Sequence, residues 1–132
     1  MRLITFSLLA LYFISVAGCG EQSVTSTSSN FNNVSIRSVN DTLAISLVAN
    51  NHNYYDTIQL NFSVDTVNLY MAVNGYNGGT GLFKVFRDTN TVISKDLTSN
   101  YASSERMFTG IPTKAVLSLT NYKGNASILL SK

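Results

Sequence analysis

Apolar and polar residues alternate with a period of two over most of the chain beyond residue 33. Residues 57–64 show this best, since the apolar side chains are Ile58, Leu60, Phe62 and Val64 and the positions between them are polar. Neighbouring side chains of a strand point to opposite faces. The spacing therefore predicts a strand with one face on a core and the other toward water.

The same alternation predicts about nine short strands. They cover residues 34–39, 43–49, 57–64, 67–73, 82–87, 91–95, 106–109, 115–120 and 125–130. Turn-forming residues separate them, and the connections are too short for the crossovers that parallel strands need. The predicted fold is all-β, an antiparallel β-sandwich of eight to nine short strands formed by residues 31–132.

Two segments bear on how the predicted strands are connected. Residues 63–66 lie between two alternating runs and form either a tight hairpin or a bulge in one bent strand. Residues 112–132 resemble the closing hairpin of many secreted bacterial β-sandwich domains. That resemblance supports the fold and implies no activity.

The first 18 residues have the features of an export signal. Arg2 precedes an apolar run from Leu3 to Val16, and small residues follow. The run is shorter than the roughly 20 residues that a membrane-spanning helix needs. The sequence Val16-Ala17-Gly18-Cys19 resembles the lipobox of bacterial lipoproteins, although position 16 is more often Leu in that family.

The lipobox resemblance implies that the signal is removed before Cys19 and that this cysteine carries the lipid. It also accounts for the lone cysteine, which has no partner for a disulfide. Residues 19–30 then form a lipidated cysteine and a flexible Ser/Thr-rich tether. The expected location is the bacterial cell envelope, on the outer membrane in a Gram-negative organism because Gly20 follows the cysteine. An ordinary secretory signal is the alternative.

Composition excludes several kinds of partner. The chain has 9 basic and 7 acidic residues and no basic cluster, which argues against nucleic acid. One cysteine and one histidine do not supply the ligands of a structural zinc site. We expect no metal and no cofactor. The mature chain is nearly neutral, so its contact with the membrane would depend on the acyl chains.

The only histidine lies in a segment that is a candidate ligand-contact loop. His52 is followed closely by Tyr54, Tyr55 and Asp56, and a turn displaying these side chains is the preferred interpretation. A small hydrolase that uses His52 with Asp56 is the enzymatic alternative. Adjacent strand residues point to opposite faces, so the spacing builds no proton relay by itself.

Two further segments invite chemical interpretations. Residues 75–81 are rich in glycine, but they lead into an apparent strand and not into a helix, so they predict a hairpin loop that displays Tyr76 and Asn77. Asp88-Thr89-Asn90 begins like a calcium loop but lacks the later glycine and glutamate, and predicts a hairpin turn. A calcium site shared by Asp88, Asn90 and Asp96 is the alternative.

These observations predict a non-enzymatic, lipid-anchored module that binds an envelope protein or a glycan through loops or a sheet face. The tyrosines and asparagines of the domain suit sugar or protein recognition. A third hypothesis is a subunit of a surface assembly that pairs through an exposed edge strand such as residues 125–130.

Overall fold

The computed structural model describes residues 31–132. The predicted signal segment, Cys19 and the predicted tether lie outside the described residues. The strands are β1 (Asn33–Val39), β2 (Thr42–Gln59), β3 (Thr66–Arg87), β4 (Asn90–Asp96), β5 (Tyr101–Phe108) and β6 (Lys114–Ser131). No helix forms between residues 31 and 132, so none there is long and apolar enough to cross a membrane. The all-β prediction is confirmed.

The strands form one antiparallel sheet with β6 at its centre. The order is β1-β2-β6-β3-β4, and β5 also pairs with β3. The antiparallel prediction is therefore confirmed. β2 and β3 do not pair with each other, because β6 lies between them.

The three central strands are long, and each bends in its middle. The bends lie near Asn51 in β2, Gly78 in β3 and Tyr122 in β6, where the strand register shifts or is interrupted. They divide the sheet into two parts. The five-stranded part contains β1, residues 42–50, 123–131 and 66–74, and β5; the four-stranded part contains residues 54–59, 114–120 and 80–87, and β4.

The bends bring the two ends of each long strand close together. A straight strand of the length of β2 would span about 60 Å. Instead, the backbone N–H of Asp41, just before β2, donates to the carbonyl of Asn61, just after it, at 3.0 Å. At the ends of β3, the N–H of Thr109 donates to the carbonyl of Asp65 at 2.9 Å, and Gly110 packs beside Arg87.

The inward-facing side chains of both parts form one hydrophobic cluster. In the five-stranded part it includes Leu43, Ile45, Leu47, Val67, Leu69, Val73, Ile128 and Leu130. In the four-stranded part it includes Phe83, Val85, Ile93, Leu97, Ala115, Leu117 and Leu119. Each large apolar side chain buried in this way contributes about 1.5–3 kcal/mol before entropic costs.

The predicted pattern of eight to nine short strands is not confirmed. The alternation is real, but six strands form within residues 31–132, because long strands continue through sites where the sequence indicates turns. Residues 75–81 are not a hairpin loop: they lie inside β3, and both flanks pair with β6. Residues 63–66 form neither a hairpin nor a bulge, because residues 60–65 connect β2 to β3 and these two strands do not pair with each other.

The edge strand proposed at residues 125–130 is also corrected. These residues belong to β6, whose two sides pair with β2 and β3, so they have no free edge. Residues 114–131 form this one continuous strand, so the closing hairpin that residues 112–132 resemble does not form. Asp88 and Thr89 do form the predicted turn between β3 and β4. Asn90 and Asp96 lie at opposite ends of β4, about 20 Å apart along a strand. That separation rules out the shared calcium site.

Candidate functional site

The three bends lie side by side at one end of the domain, which we call the bend end. The register places His52 of β2 opposite Tyr122 of β6, and Lys123 opposite Gly78 of β3. Each bend uses left-handed backbone conformations, with φ of 60° at Asn51, 81° at Gly79 and 49° at Asn121. Asparagine and glycine tolerate these angles, which explains their abundance here.

Asparagine side chains hold the bends together. The Asn53 Oδ1 accepts a hydrogen bond from the N–H of Asn121 at 2.7 Å, and so joins the bends of β2 and β6. The Asn100 Oδ1 accepts one from the N–H of Tyr76 at 2.8 Å. These side chains satisfy backbone groups that the bends leave without a ladder partner.

Tyr122 anchors the bend end to the core. Its side chain is fully buried, and its hydroxyl donates to the carbonyl of Leu97 at 3.0 Å. Burial raises the pKa of Tyr122 to about 12. The Tyr76 ring lies 5.9 Å from the Tyr122 ring, and the Tyr76 hydroxyl donates to the carbonyl of Gly79 at 2.8 Å. Tyr76 is therefore half-buried, and both its ring and its hydroxyl are engaged in contacts within the domain.

The predicted turn at His52 does not form, because residues 52–56 lie within β2, and His52 is half-buried beside Tyr54. Its ring centroid is 5.9 Å from that of Tyr54, whose hydroxyl donates to Asp56 Oδ2 at 3.2 Å. Burial, followed by the charge of Asp56, raises the pKa of the Tyr54 hydroxyl. Within residues 31–132, no hydrogen bond or ion pair joins His52 to a carboxylate. The arrangement offers ring contacts in place of a proton relay.

The remaining candidate residues are more accessible. Tyr55 is 71% exposed and points away from Tyr54, on the opposite face of β2. Asn77 is exposed within the bend of β3. The structure therefore brings His52, Tyr54 and Tyr76 to the bend end, while Tyr55 faces outward on the four-stranded part.

A second candidate site lies on the outer face of the five-stranded part, opposite the core. A row of small side chains crosses all five strands there, through direct register partners. The row contains Ser35, Ser46, Ser127, Ala72 and Ala102. On the three central strands, the rows on either side contain larger residues, apart from Ala44. We call this feature the trough.

The two walls of the trough differ in chemistry. The row on one side contains Arg37, Ala44, Leu129, Tyr70 and Ser104. The row on the other contains Asn33, Val48, Asn125 and Asn74. Leu129 and Tyr70 are 38% and 45% exposed, and with Ala44, Ala72 and Ser127 they line a cavity of about 360 Å³.

The charge of the outer face has a single sign. Arg37 on β1 and Arg106 on β5 point outward near its two edges. Asp56, Lys95 and Glu105 point toward the inner side, and Lys95 pairs with Glu105 at 2.6 Å. None of the acidic residues described by the structure lies in the rows of the trough.

The trough is the feature that sequence reasoning missed. Its small residues occupy ordinary outward positions on strands that are far apart in the chain. In the sequence they are separate Ala and Ser residues, and only the register of the strands shows that they form one row. Residues 31–132 also contain no group of three or more His, Cys, Asp and Glu side chains that could hold a metal.

Comparison with known proteins identifies no relative. No protein-family description, no curated protein and no solved structure matches the chain.

Proposed function

We propose that this chain is a lipid-anchored protein of the bacterial cell envelope whose domain, a two-layered β-sandwich, is a binding module. The two-layered arrangement is supported by the joined ends of β2 and of β3. It is also supported by the core, which draws side chains from both parts of the sheet into one cluster. A sheet folded at its bends has two facing layers with a core between them.

The proposed anchor rests on the signal-like residues 1–18 and on Cys19. The start of the domain is fixed at the bend end, because the Asn32 Oδ1 accepts a hydrogen bond from the N–H of Asn50 at 2.6 Å. A tether before residue 31 therefore leaves from that end. As a flexible coil, about 11 residues would span roughly 20 Å, which keeps the domain close to the lipid surface.

The trough is the observation that carries the binding proposal. Ligand sites are concave and mostly apolar, with a few polar groups that fix orientation. The trough combines these properties on paired strands of the sheet, which hold its side chains in place. A binding role is favoured over hydrolysis because His52 makes a ring contact with Tyr54 and, among residues 31–132, no hydrogen bond or ion pair with a carboxylate.

The anchor is tested by labelling cells with palmitate. We expect the wild-type chain to incorporate the label and to fractionate with membranes, and we expect Cys19→Ala to do neither. Ser99→Ala, at an exposed position, is the control for expression and export. An unlabelled, cytosolic wild-type chain would contradict the proposed location.

Binding is tested with the full chain in detergent micelles and purified, insoluble envelope material. We expect the wild-type chain to sediment with the material in a saturable way at physiological salt. Failure to sediment with envelope material of any kind would contradict the binding role. This outcome is independent of the labelling result.

Pairing through an edge strand remains a second candidate function, and one observation favours β1. The free edges of β4, β5 and residues 54–59 carry inward-facing Lys95, Glu105 and Asp56, which disfavour pairing with another chain. The inward residues of β1 are Val34, Ile36 and Ser38. Analytical ultracentrifugation would detect a dimer, which Val34→Lys should dissociate; a monomer at all concentrations would exclude pairing.

A further inference from the structure

We propose that the trough binds a linear, acidic oligosaccharide that lies across the strands of the five-stranded part. This inference rests on the proposed binding function and names its ligand class. The trough crosses five strands, so its length is about 20 Å. It is open at β1 and β5, the two edges of this part. An elongated ligand fits this shape better than a compact one.

The two walls suit the two kinds of surface that a sugar ring presents. Tyr70 and Leu129 offer apolar area to the C–H face of a ring, and Tyr70 also has a polar tip. On the opposite wall, the side-chain amides of Asn74 and Asn125 make no hydrogen bond with other described residues. Each amide has donor and acceptor atoms for hydroxyl groups.

The small floor permits close approach. Ser46 and Ser127 place hydroxyls there, and Ala72 places a methyl group. A larger side chain at any of these positions would fill the groove between Tyr70 and Asn125. The site therefore depends on the absence of bulk at three positions as much as on its polar groups.

Backbone pairing argues for a glycan over a peptide. The interior strands β2, β6 and β3 are paired on both sides, so their backbone groups are already bonded and cannot serve a ligand on the face. An extended peptide binds a sheet mainly by adding to an edge ladder. Across this face, its own backbone N–H and C=O groups would lose water without regular partners.

The charges favour an acidic ligand. Arg37 stands at one end of the apolar wall, and Arg106 is on the far edge strand of the same face. The nearby rows contain no carboxylate, so a carboxylate-bearing sugar meets attraction without repulsion. Because both arginines are exposed, their contribution should weaken as salt screens it.

The test is isothermal titration of the full chain in detergent micelles with three probes of similar length. They are an oligogalacturonate, a neutral cello-oligosaccharide and oligoglutamate. We expect the oligogalacturonate to bind at least 10-fold more tightly than either other probe. We also expect its affinity to fall as salt rises. Equal affinity for the neutral sugar, preference for oligoglutamate, or no binding up to millimolar concentration would overturn the proposal.

Matched variants locate the site. Ser127→Phe fills the trough and should weaken oligogalacturonate binding at least 10-fold, whereas Ser94→Phe on the exposed face of β4 should leave it unchanged. Arg37→Gln should weaken binding and reduce its salt dependence, with Lys84→Gln as the control. Undiminished oligogalacturonate binding by Ser127→Phe would show that the trough is not the binding site. If that variant also retains sedimentation with envelope material, the binding function stands and the trough is not responsible.

Discussion

The buried hydroxyl of Tyr122 donates a hydrogen bond to the backbone carbonyl of Leu97, 3.0 Å away. This bond joins the bend of β6 to the residue that follows β4. Gly81 packs against both side chains, and a Cβ there would approach Leu97 and Tyr122 to 2.9 Å. The contact therefore depends on three residues from separate segments.

Tyr122→Phe should destabilise the domain by about 1–3 kcal/mol, because it leaves the Leu97 carbonyl buried without its donor. Chemical denaturation followed by circular dichroism measures the change. Tyr55→Phe is the control, since that side chain is 71% exposed. Equal stability of Tyr122→Phe and the wild type would show that the bond contributes nothing.

Alkaline pH should destabilise the domain through Tyr122. Its pKa is raised from the ordinary value of 10.0 to about 12, so the folded state holds the phenolic proton more tightly than the unfolded state does. The stabilisation is complete below pH 10 and is lost as pH rises toward 12. Denaturation curves measured across this range should show a falling free energy of unfolding. In Tyr122→Phe, the free energy of unfolding should fall less steeply with pH.

Acid should weaken the link between the two ends of β2. The N–H and then the hydroxyl of Ser63 donate to Asp41 and lower the pKa of that carboxyl, with a smaller effect from Lys132. The resulting stability is present above the ordinary pKa of 3.8 and is lost as pH falls through the lower folded pKa.

Asp41→Asn should therefore flatten the acid limb of the stability profile below about pH 4. Lys132→Gln should change it less, because Lys132 is the weaker cause of the shift. Denaturation midpoints between pH 2 and pH 6 provide the measurement. An unchanged acid limb in Asp41→Asn would exclude this carboxyl as a source of acid sensitivity.

The bend of β3 should not tolerate a side chain at Gly79. A Cβ there would overlap the backbone of Asn121, and the residue has φ of 81°. At Gly78, φ is 130°, but a Cβ would meet nothing within 4 Å. Both alanine variants incur backbone strain of order 1–3 kcal/mol, and Gly79→Ala should lose more stability. Equal losses of stability in the two variants would show that the backbone of Asn121 moves aside at little cost.

Ser103→Ala should be neutral or stabilising. Among the described residues, the Ser103 hydroxyl is the buried side-chain oxygen that lacks a hydrogen-bond partner. Removing an unsatisfied polar atom relieves its desolvation cost. Ser104→Ala, on the exposed side of β5, is the matched comparison in thermal denaturation. A clear loss of stability in Ser103→Ala would indicate that the hydroxyl has a partner in solution.

The alternation of residues predicted the all-β, antiparallel class, because it reports directly which side chains face the core. Leu43, Ile45 and Leu47 are buried as their spacing indicates. The continuation of strands through bends was not predictable in the same way. Asn51 and Gly79 signal a left-handed backbone, but whether the chain then reverses or continues depends on pairing with β6, which is distant in sequence.

The candidate sites also differ in whether local sequence or the pairing of distant strands determines them. Local sequence identified Tyr54, Tyr76 and Asn77 as candidates at the bend end, yet it did not reveal that the Tyr76 hydroxyl is already bonded to the carbonyl of Gly79. The trough depends on which residue of β6 lies opposite Ser46 and Ala72. That register is set by the whole sheet, so no single segment carries its signal.

The central position of β6 also governs when the domain becomes able to fold. β6 follows the other five strands that the structure describes, and β2 and β3 each need it as the neighbour between them. A growing polypeptide would therefore lack its organising strand until synthesis reaches residues 114–131. We expect the domain to fold only after β6 has been made, because β2 and β3 have no shared neighbour before then.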